Sequence, residues 1–329
     1  MKKSPAIKDI ELAAETLGSH LVNTPVLESD RINASLNCRV LIKAENLQRT
    51  GSFKFRGAFN MISQLTDYQR DRGVVAFSSG NHAQGVAAAS KILNIKSTIV
   101  MPADAPKIKI NNTRNDGANV VLYNRADANR VKIAEEIAKD TGAILIPPYD
   151  APEIIAGQGT MGLEFFNYVK SQRIVLDYLL SPCSGGGLIA GNAIAFNDRS
   201  PDTLIYSVEP QGYHDTALSL ETGRRQHIKT DINSFCDALL VETPGELTFK
   251  TNKLFLAGGL IVAQKETAHA IQVAFDEFKI VLEPGGAVAL GAVLSNKITT
   301  PGKNIGVICS GGNIDKSTFK DILDGRYSV

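Results

Sequence analysis

The chain has 329 residues, of which 43% are hydrophobic and 21% are charged. This length exceeds that of a usual single domain, and it predicts either two domains or one large two-lobed unit with a sizeable core. Thirty-five basic and 34 acidic side chains leave a formal net charge of +1. That balance gives no electrostatic reason to expect nucleic acid or an anionic membrane as a partner, so we expect a small molecule as the ligand.

Cysteine spacing and the N-terminal segment indicate where the protein works. The cysteines are far apart and include no C-x-x-C pair, so neither a zinc knuckle nor a disulfide framework is expected. The N-terminal segment has acidic residues where a signal peptide needs an apolar run, and no later segment is long enough to span a bilayer. We therefore predict a cytoplasmic protein with no membrane partner and with four reduced thiols, which are Cys38, Cys183, Cys236 and Cys309.

Short apolar runs alternate along the chain with longer amphipathic or alanine-rich segments. Continuous apolar strands separated by helices predict parallel sheets that are covered on both faces. In chain order, the predicted strands cover residues 40–44, 73–79, 97–101, 119–123, 143–147, 176–182, 204–210 and 305–311.

The spacing of these elements predicts how the chain divides. Regular strand–helix–strand repeats between about residues 73 and 146 predict a compact lobe of their own. We assign residues 49–143 to this small lobe, and residues 1–48 with 144–329 to a large lobe. The turn-forming stretch PPYD at residues 147–150 is the predicted crossing between the two lobes.

The stretch TGSFKFRGA at residues 50–58 places Lys54 between two phenylalanines and beside small residues. Most lysines lie on the surface. Burial of an ammonium group is costly, however, and it lowers the lysine pKa, which produces a neutral nucleophilic amine. Lys54 is therefore a candidate catalytic residue.

Three loops follow predicted strands and contain glycines: SSGNHAQG at 78–85, SPCSGGGLIAG at 181–191 and CSGGNID at 309–315. Ligands of open α/β sheets bind beyond the carboxyl ends of the strands. A glycine turn that leads into a helix offers free backbone N–H groups and the helix dipole to an anion. The nucleotide patterns G-K-[ST] and G-x-G-x-x-G are both missing. A phosphate site together with a nucleophilic lysine is what pyridoxal 5′-phosphate (PLP) requires.

Four ordered motifs, SFKFRGA, SSGNHAQG, SGGGLIAG and SGGNID, resemble the fold-type II PLP enzymes, specifically the threonine/serine dehydratase and serine racemase group. The likeness covers nearly the whole chain, including IAGQGTMGLE at 155–164. It implies a two-lobed α/β fold similar to that of the tryptophan synthase β subunit, in which each lobe is a mostly parallel sheet covered by helices. It also implies that the large lobe binds PLP, that the substrate is an amino acid and that the protein is a homodimer.

The resemblance assigns roles to single residues around the cofactor. Lys54 would form the Schiff base with PLP and later remove the substrate Cα proton. Phe53 would lie against the cofactor ring, Asn81 would hydrogen-bond the ring hydroxyl, and Ser310 would meet the pyridine nitrogen. A hydroxyl partner does not keep that nitrogen protonated, which favours prompt loss of a β-substituent. The phosphate-binding residues would be Ser184, Gly185, Gly186, Gly187 and Leu188.

The implied reaction is α,β-elimination of water from L-threonine, L-serine or 3-hydroxyaspartate, which gives a 2-oxo acid and ammonia. Racemase-like members of the group carry a serine at the position of Ser79, where it acts as acid and base on the opposite face of the substrate, whereas many threonine dehydratases carry alanine. Serine or aspartate racemisation therefore stays open as an alternative. The substrate carboxylate would bind a turn that includes Ser78, Ser79, Asn81 and His82.

Two further cations bear on which amino acid is the substrate. Lys109 and Arg130 match positions where racemase-like members gather positive charge around the distal end of a dicarboxylate ligand, and an arginine fork suits a second carboxylate. With His82 nearby, this favours 3-hydroxyaspartate. The alternative is that Lys109 and Arg130 are solvated charges on helix faces.

The stretch SVEPQGYHDTA at residues 207–217 resembles a metal-binding loop of the racemase-like members. Glu209, Asp215 and the backbone carbonyl of Tyr213 would bind Mg²⁺, or Ca²⁺ or Mn²⁺, since hard cations prefer such oxygens. The cation would order the loop and raise activity indirectly. Two acidic residues at a strand end are also common without a metal.

Two other classes of function stay open. A relative of cysteine or tryptophan synthase would perform β-replacement, although SFKFRGA and SSGNHAQG argue against it. A non-enzymatic amino-acid sensor would lack the covalent cofactor link. Compared with feedback-controlled threonine dehydratases, no regulatory domain follows SGGNID, which implies a catabolic or assimilatory enzyme.

Overall fold

The computed structural model describes residues 3–124, 129–298 and 301–327. Its strands form two sheets, one of six strands in the order β1-β2-β10-β7-β8-β9 and one of four strands in the order β5-β4-β3-β6. All pairs are parallel except β1 with β2. The strands are β1 (Val26–Leu27), β2 (Arg39–Ala44), β3 (Val74–Phe77), β4 (Ser97–Pro102), β5 (Asn119–Tyr123), β6 (Ile144–Leu145), β7 (Tyr178–Pro182), β8 (Leu204–Pro210), β9 (Gly258–Val262) and β10 (Asn304–Cys309).

Helices connect most successive strands, as parallel pairing requires. The helices of the described residues are α1 (Ile7–Leu17), α2 (Asp30–Leu36), α3 (Lys54–Ser63), α4 (Asp67–Arg72), α5 (Asn81–Ile92), α6 (Lys107–Asn115), α7 (Arg130–Thr141), α8 (Pro152–Ser171), α9 (Gly187–Arg199), α10 (Asp215–Thr222), α11 (Glu246–Phe255), α12 (Gln264–Phe278), α13 (Pro284–Leu294) and α14 (Lys316–Leu323). Single 3₁₀ turns lie at Gly18–His20, Glu45–Leu47 and Asp237–Leu239.

Alternation along β2 shows why the large sheet is covered on both faces. Val40 and Ile42 are fully buried in the core that includes α12 and α13. Leu41 points the other way, into the core that includes α8 and α9. Because neighbouring strand residues face opposite sides, a continuous apolar run buries both faces at once. The predicted α/β fold with mostly parallel sheets is therefore confirmed.

The predicted strands all correspond to observed ones, and two observed strands were not predicted. These are β1, which has only two residues, and β9, which begins with two glycines. The predicted division at residues 143 and 144 stays a prediction. At that point Ile144 and Leu145 pair with β3, in the four-stranded sheet.

The carboxyl ends of β3, β7 and β10 lead directly into the three glycine loops. The crossing segment, residues 147–150, leads from the end of the small sheet past these loops to α8. Ile146, directly before it, donates its N–H to Val75 O at 2.8 Å. The fold thus collects the loops of both sheets around one space. Within the described residues, no helix combines the length and the apolar character that crossing a bilayer requires.

Candidate active site

A cavity of about 880 Å³ lies where the glycine loops of the two sheets meet. All the predicted cofactor and substrate residues line it, although they come from widely separated parts of the chain. The structure therefore brings together Phe53, Lys54, Ser78, Ser79, Asn81, His82, Lys109, Arg130, Ser184, Gly185, Gly186, Gly187, Leu188 and Ser310. The three metal candidates are not among the lining residues.

Lys54 is the first residue of α3, and its side chain enters the cavity. Its Nζ donates to the carbonyl oxygen of Pro148 at 2.8 Å and lies 5.2 Å from the centre of the Phe53 ring. Burial lowers the pKa of Lys54 to about 8. A substantial fraction of this amine is neutral near physiological pH, as a nucleophile and a base require.

A buried ion cluster anchors the first turn of α3. Arg56 donates to both carboxylate oxygens of Glu45 at 2.8 Å, and to those of Glu164 at 2.7 and 2.8 Å. Lys43 donates to Glu164 at 2.8 Å. This Arg56 cluster (Lys43, Glu45, Arg56 and Glu164) joins α3 to β2 and α8 two residues beyond Lys54. Sequence reasoning missed it, although Arg56 belongs to the SFKFRGA motif.

The turn between β3 and α5 supplies the predicted substrate-binding residues. Ser78 Oγ accepts from Gly80 N at 3.1 Å, which closes the turn. The Nε2 of His82 donates to the carbonyl oxygen of Ile146 at 3.0 Å. Burial, assisted by the charge of Lys54, lowers the pKa of His82 to about 3. His82 is therefore neutral and adds no positive charge to the cavity.

Lys109 is almost fully buried, and its charge is matched inside the protein. Its Nζ donates to Glu283 and to Asp237, both at 2.8 Å. Burial alone would lower the pKa of Lys109, but these two carboxylates raise it above its ordinary value. The alternative of a solvated charge on a helix face is therefore wrong for Lys109. Its role as a substrate residue stays a prediction.

Asn81 and Arg130 lie on the same cavity with different neighbours. Asn81 donates to Glu283 through Nδ2, and its Oδ1 accepts from Asn313 at 2.9 Å. The second N–H of the Asn81 amide can still serve a ligand. Arg130 is the first residue of α7, with its guanidinium 5.8 Å from the Phe77 ring centre. No carboxylate among the described residues pairs with Arg130.

The loop from Ser184 to Leu188 is built to receive an anion. Gly186 has φ +92°, a conformation that favours glycine, and a Cβ at Gly185 would overlap the ring of Tyr149. The hydroxyl of Ser184 is buried without a hydrogen-bond partner in the described part of the chain. Helix α9 begins at Gly187, so its free N–H groups and its dipole face the same space. These features fit a phosphate group.

Ser310 also lines the cavity. It directly follows β10, and its carbonyl oxygen accepts from Phe53 N at 3.1 Å. This bond holds the cofactor-facing residues of both motifs together. An amine of lowered pKa, an aromatic face, a serine hydroxyl and an anion site in one cavity fit PLP.

The predicted metal ligands form a buried acidic pair, Glu209 and Asp215. Glu209 accepts from Thr216 N at 2.9 Å and from Ala217 N at 2.8 Å. Both carboxylate oxygens of Asp215 are buried without a hydrogen-bond partner among the described residues. Burial raises the pKa of Asp215 to about 7, and burial and the neighbouring Asp215 raise that of Glu209. Across residues 3–124, 129–298 and 301–327, His, Cys, Asp and Glu form no cluster of three suited to a metal.

A family model described as "Pyridoxal-phosphate dependent enzyme" matches residues 18–311. The chain belongs to the fold-type II PLP enzymes. It is 41% identical over 317 residues to an L-threo-3-hydroxyaspartate ammonia-lyase of Pseudomonas sp, covering 96% of this chain and 98% of the relative. It is 38% identical over 322 residues to the enzyme of that name from Saccharomyces cerevisiae, covering 98% and 97%. The solved structure of maize serine racemase superposes with a TM-score of 0.91 at 32% identity, covering 98% of each chain.

These similarities confirm three predictions made from the motifs. The family is the predicted one, the fold is shared with serine racemase, and the protein is a PLP-dependent lyase. The roles given to single residues stay predictions, because they rest on motif positions and on the geometry described above.

Proposed function

We propose that this PLP enzyme removes water from a 3-hydroxy amino acid, releasing a 2-oxo acid and ammonia, and that 3-hydroxyaspartate is its preferred substrate. The observation that carries the reaction class is the lowered pKa of Lys54 in the cavity that also holds the glycine anion site. The names of the two similar ammonia-lyases and the position of Arg130 support the substrate.

We assign residues of the cavity to the steps of this reaction. The N-terminus of α5 and the turn before it bind the α-carboxylate of the substrate, because the free N–H groups of a helix start favour an anion. The neutral amine of Lys54 takes the Cα proton. PLP, when bound, supplies the electron sink for the charge left on Cα. The proton held on Lys54 then goes to the β-hydroxyl, which leaves as water, and hydrolysis of the released enamine gives the 2-oxo acid and ammonia.

Arg130 is the residue we propose for the second carboxylate of 3-hydroxyaspartate. Its charge is not taken up by a carboxylate of the described residues, and a guanidinium can bind a carboxylate through two parallel hydrogen bonds. Lys109 differs, because Glu283 and Asp237 already bind its Nζ. We therefore expect Lys109 to contribute less than Arg130 to substrate choice.

The test compares substrates in one assay. Purified PLP-loaded protein receives L-threonine, L-serine and each stereoisomer of 3-hydroxyaspartate at fixed Mg²⁺, and 2-oxo acid and ammonia are measured. We expect the highest kcat/KM with one 3-hydroxyaspartate. Arg130→Ala should lower kcat/KM for that substrate about 30- to 100-fold relative to serine, the loss expected for a charged bidentate contact. The control is Lys132→Ala, an exposed residue of the same helix. An unchanged substrate ratio in Arg130→Ala would reject the substrate assignment.

Racemisation is the second candidate function, and Ser79 favours it. Ser79 lines the cavity with Lys54, so a hydroxyl is available as a second acid and base. We expect Ser79→Ala to lower exchange of the Cα hydrogen with deuterated water from the opposite face, and to spare elimination. Equal losses of both activities would assign Ser79 to binding alone.

Addition of thiol acceptors tests β-replacement, which should be absent.

The acidic pair is the proposed site of an activating divalent cation, Mg²⁺ or alternatively Ca²⁺ or Mn²⁺. The support is Asp215, whose two carboxylate oxygens lack partners among the described residues although they are buried. Glu209 and the carbonyl oxygen of Tyr213 would complete the protein ligands, with waters filling the remaining positions.

A cytoplasmic homodimer is the proposed working form. The four cysteines are buried and form no disulfide within the described residues, which suits a reducing compartment. Sedimentation equilibrium of the PLP-loaded protein should give twice the mass of the 35.3 kDa chain. A single-chain mass at micromolar concentration would contradict the dimer.

A further inference from the structure

The crossing segment contacts both groups that would hold PLP, which are the amine of Lys54 and the phosphate loop (residues 184–188). PLP carries its aldehyde and its phosphomethyl group on neighbouring carbons of a rigid ring, so the lysine amine and the phosphate site must keep a fixed separation. Lys54 begins α3, however, while the phosphate loop precedes α9, far away in the chain. A structural element that contacts both can set their separation.

Two successive residues of the crossing segment, Pro148 and Tyr149, contact these two groups. The carbonyl oxygen of Pro148 accepts from Lys54 Nζ at 2.8 Å. The ring of Tyr149 covers Gly185, and the Tyr149 backbone lies so close to Gly187 that a Cβ there would come within 3.0 Å of it. One side of the phosphate loop therefore rests on the crossing segment.

Asp150, the next residue, binds the helix on the other side of that loop. Its Oδ1 accepts from Leu247 N at 2.9 Å and Thr248 N at 3.1 Å, and its Oδ2 accepts from Glu246 N at 3.0 Å. These are the first N–H groups of α11, which its own preceding residue, Gly245, leaves uncapped. A Cβ at Gly245 would overlap the Asp150 carboxylate, so glycine leaves room for a cap from a distant part of the chain.

Helix α11 in turn holds the carbonyl groups of the phosphate loop. Thr248 Oγ1 donates to Gly185 O at 2.6 Å, and Asn252 Nδ2 lies 3.5 Å from Gly186 O. These bonds hold two carbonyl oxygens of the loop against α11, which leaves the loop N–H groups available to an anion. Thr248 is thus bound at its backbone by Asp150 and binds the loop with its side chain.

We propose that Asp150 is a positioning residue for the cofactor phosphate. Its carboxylate binds the N-terminus of α11 to the crossing segment, and α11 binds the phosphate loop. The same segment accepts a hydrogen bond from the Lys54 amine. The inference rests on the assignment of Lys54 as the cofactor lysine. It requires no particular substrate, so it can fail while the proposed function stands.

The experiment measures PLP affinity in variants of Asp150 and Thr248. We expect Asp150→Ala and Thr248→Val each to raise the PLP dissociation constant about tenfold, the effect of losing one helix cap or one buried hydrogen bond. The PLP dissociation constant of the double variant should be about the same as that of either single variant, because both substitutions interrupt the same chain of contacts. The ³¹P NMR signal of bound PLP should broaden or shift in all three, and Thr248→Ser should restore both readouts.

Asp177→Ala is the matched control, since Asp177 also accepts a backbone N–H, that of Asn304 at 2.9 Å, at a remote strand start. It should leave PLP affinity and the ³¹P signal unchanged. An unaltered PLP dissociation constant in Asp150→Ala, or a double variant whose losses simply add, would overturn the proposal. If Asp150→Ala does not fold, the comparison of Thr248→Val with Thr248→Ser is the test, and equal PLP affinity in those two proteins would also overturn the proposal.

Discussion

The Arg56 cluster and the acidic pair are both buried, yet their charges are balanced differently. In the Arg56 cluster every carboxylate faces a cation, and Arg56 and Glu45 are fully buried together. In the acidic pair, Glu209 accepts from two backbone N–H groups, the carboxylate of Asp215 has no hydrogen-bond partner, and no cation among the described residues pairs with either. Because an unpaired buried charge is costly, the charges of the first region stabilise each other, whereas the second region must bind protons or the proposed divalent cation to lose its charge.

The same contrast separates the two buried lysines of the cavity. Two carboxylates bind Lys109 and raise its pKa, whereas Lys54 donates to a neutral carbonyl group and burial lowers its pKa to about 8. The unmatched lysine is the one that the motifs assign to PLP. Unmatched buried groups are therefore the better guide to ligand sites in this molecule.

The largest effect should come from unbalancing the Arg56 cluster. Arg56→Met leaves Glu45 and Glu164 without their main cation, and it should lower the free energy of unfolding by about 3–5 kcal/mol. Urea unfolding of the cofactor-free protein measures this. The control is Arg199→Met, which breaks an exposed ion pair with Glu11 and should cost no more than about 1 kcal/mol. Similar losses of unfolding free energy in both variants would show that the buried Arg56 cluster contributes no more to stability than an exposed ion pair.

The contrast between the two lysines predicts a difference in reactivity. In the cofactor-free protein, an amine-specific reagent should modify Lys54 with a midpoint near pH 8, and the rate should rise with pH because only the neutral amine reacts. At pH 8 the neutral fraction of Lys54 exceeds that of an ordinary lysine roughly 10²-fold. Lys109 should stay unmodified at that pH. Peptide mass spectrometry follows both sites, and a Lys54 midpoint above pH 10 would contradict the assignment.

Binding of a divalent cation should neutralise the buried negative charge of the acidic pair. Mg²⁺ at about 100 times its dissociation constant should stabilise the metal-free protein by about 2.7 kcal/mol and raise Tm by several degrees. Asp215→Asn should abolish this response. Glu221→Gln, an exposed residue on the same helix, should retain it. A wild-type Mg²⁺ response in Asp215→Asn would place the cation elsewhere.

The smallest effect concerns the unpartnered hydroxyl of Ser184. Ser184→Ala should raise the PLP dissociation constant about three- to tenfold, the range for one lost hydrogen bond. Ser184→Gly should give a similar loss, since both variants lack the hydroxyl. Tighter PLP binding by either variant would show that the hydroxyl does not face the phosphate.

Local patterns in the chain predicted most strands, Lys54 and the glycine loops, and the resemblance to the fold-type II PLP enzymes implied the other cavity residues. Apolar runs indicated the strands, and strand-end glycines with SFKFRGA indicated the site, because both features are contiguous. The partners of Lys109 were beyond such reasoning, since Asp237 and Glu283 lie 128 and 174 residues away. The same holds for Asp150, whose contacts with α11 span nearly a hundred residues. Strand β9 was missed because its two leading glycines weaken the strand pattern.

The most direct test of the account is to locate the covalent cofactor link. The PLP-loaded protein is reduced with sodium borohydride, digested, and analysed by peptide mass spectrometry. We predict one reduced pyridoxyl group per chain, on Lys54, and its complete loss in Lys54→Ala. A label on Lys109 or on another lysine would contradict the central claim that the unmatched buried amine is the cofactor site.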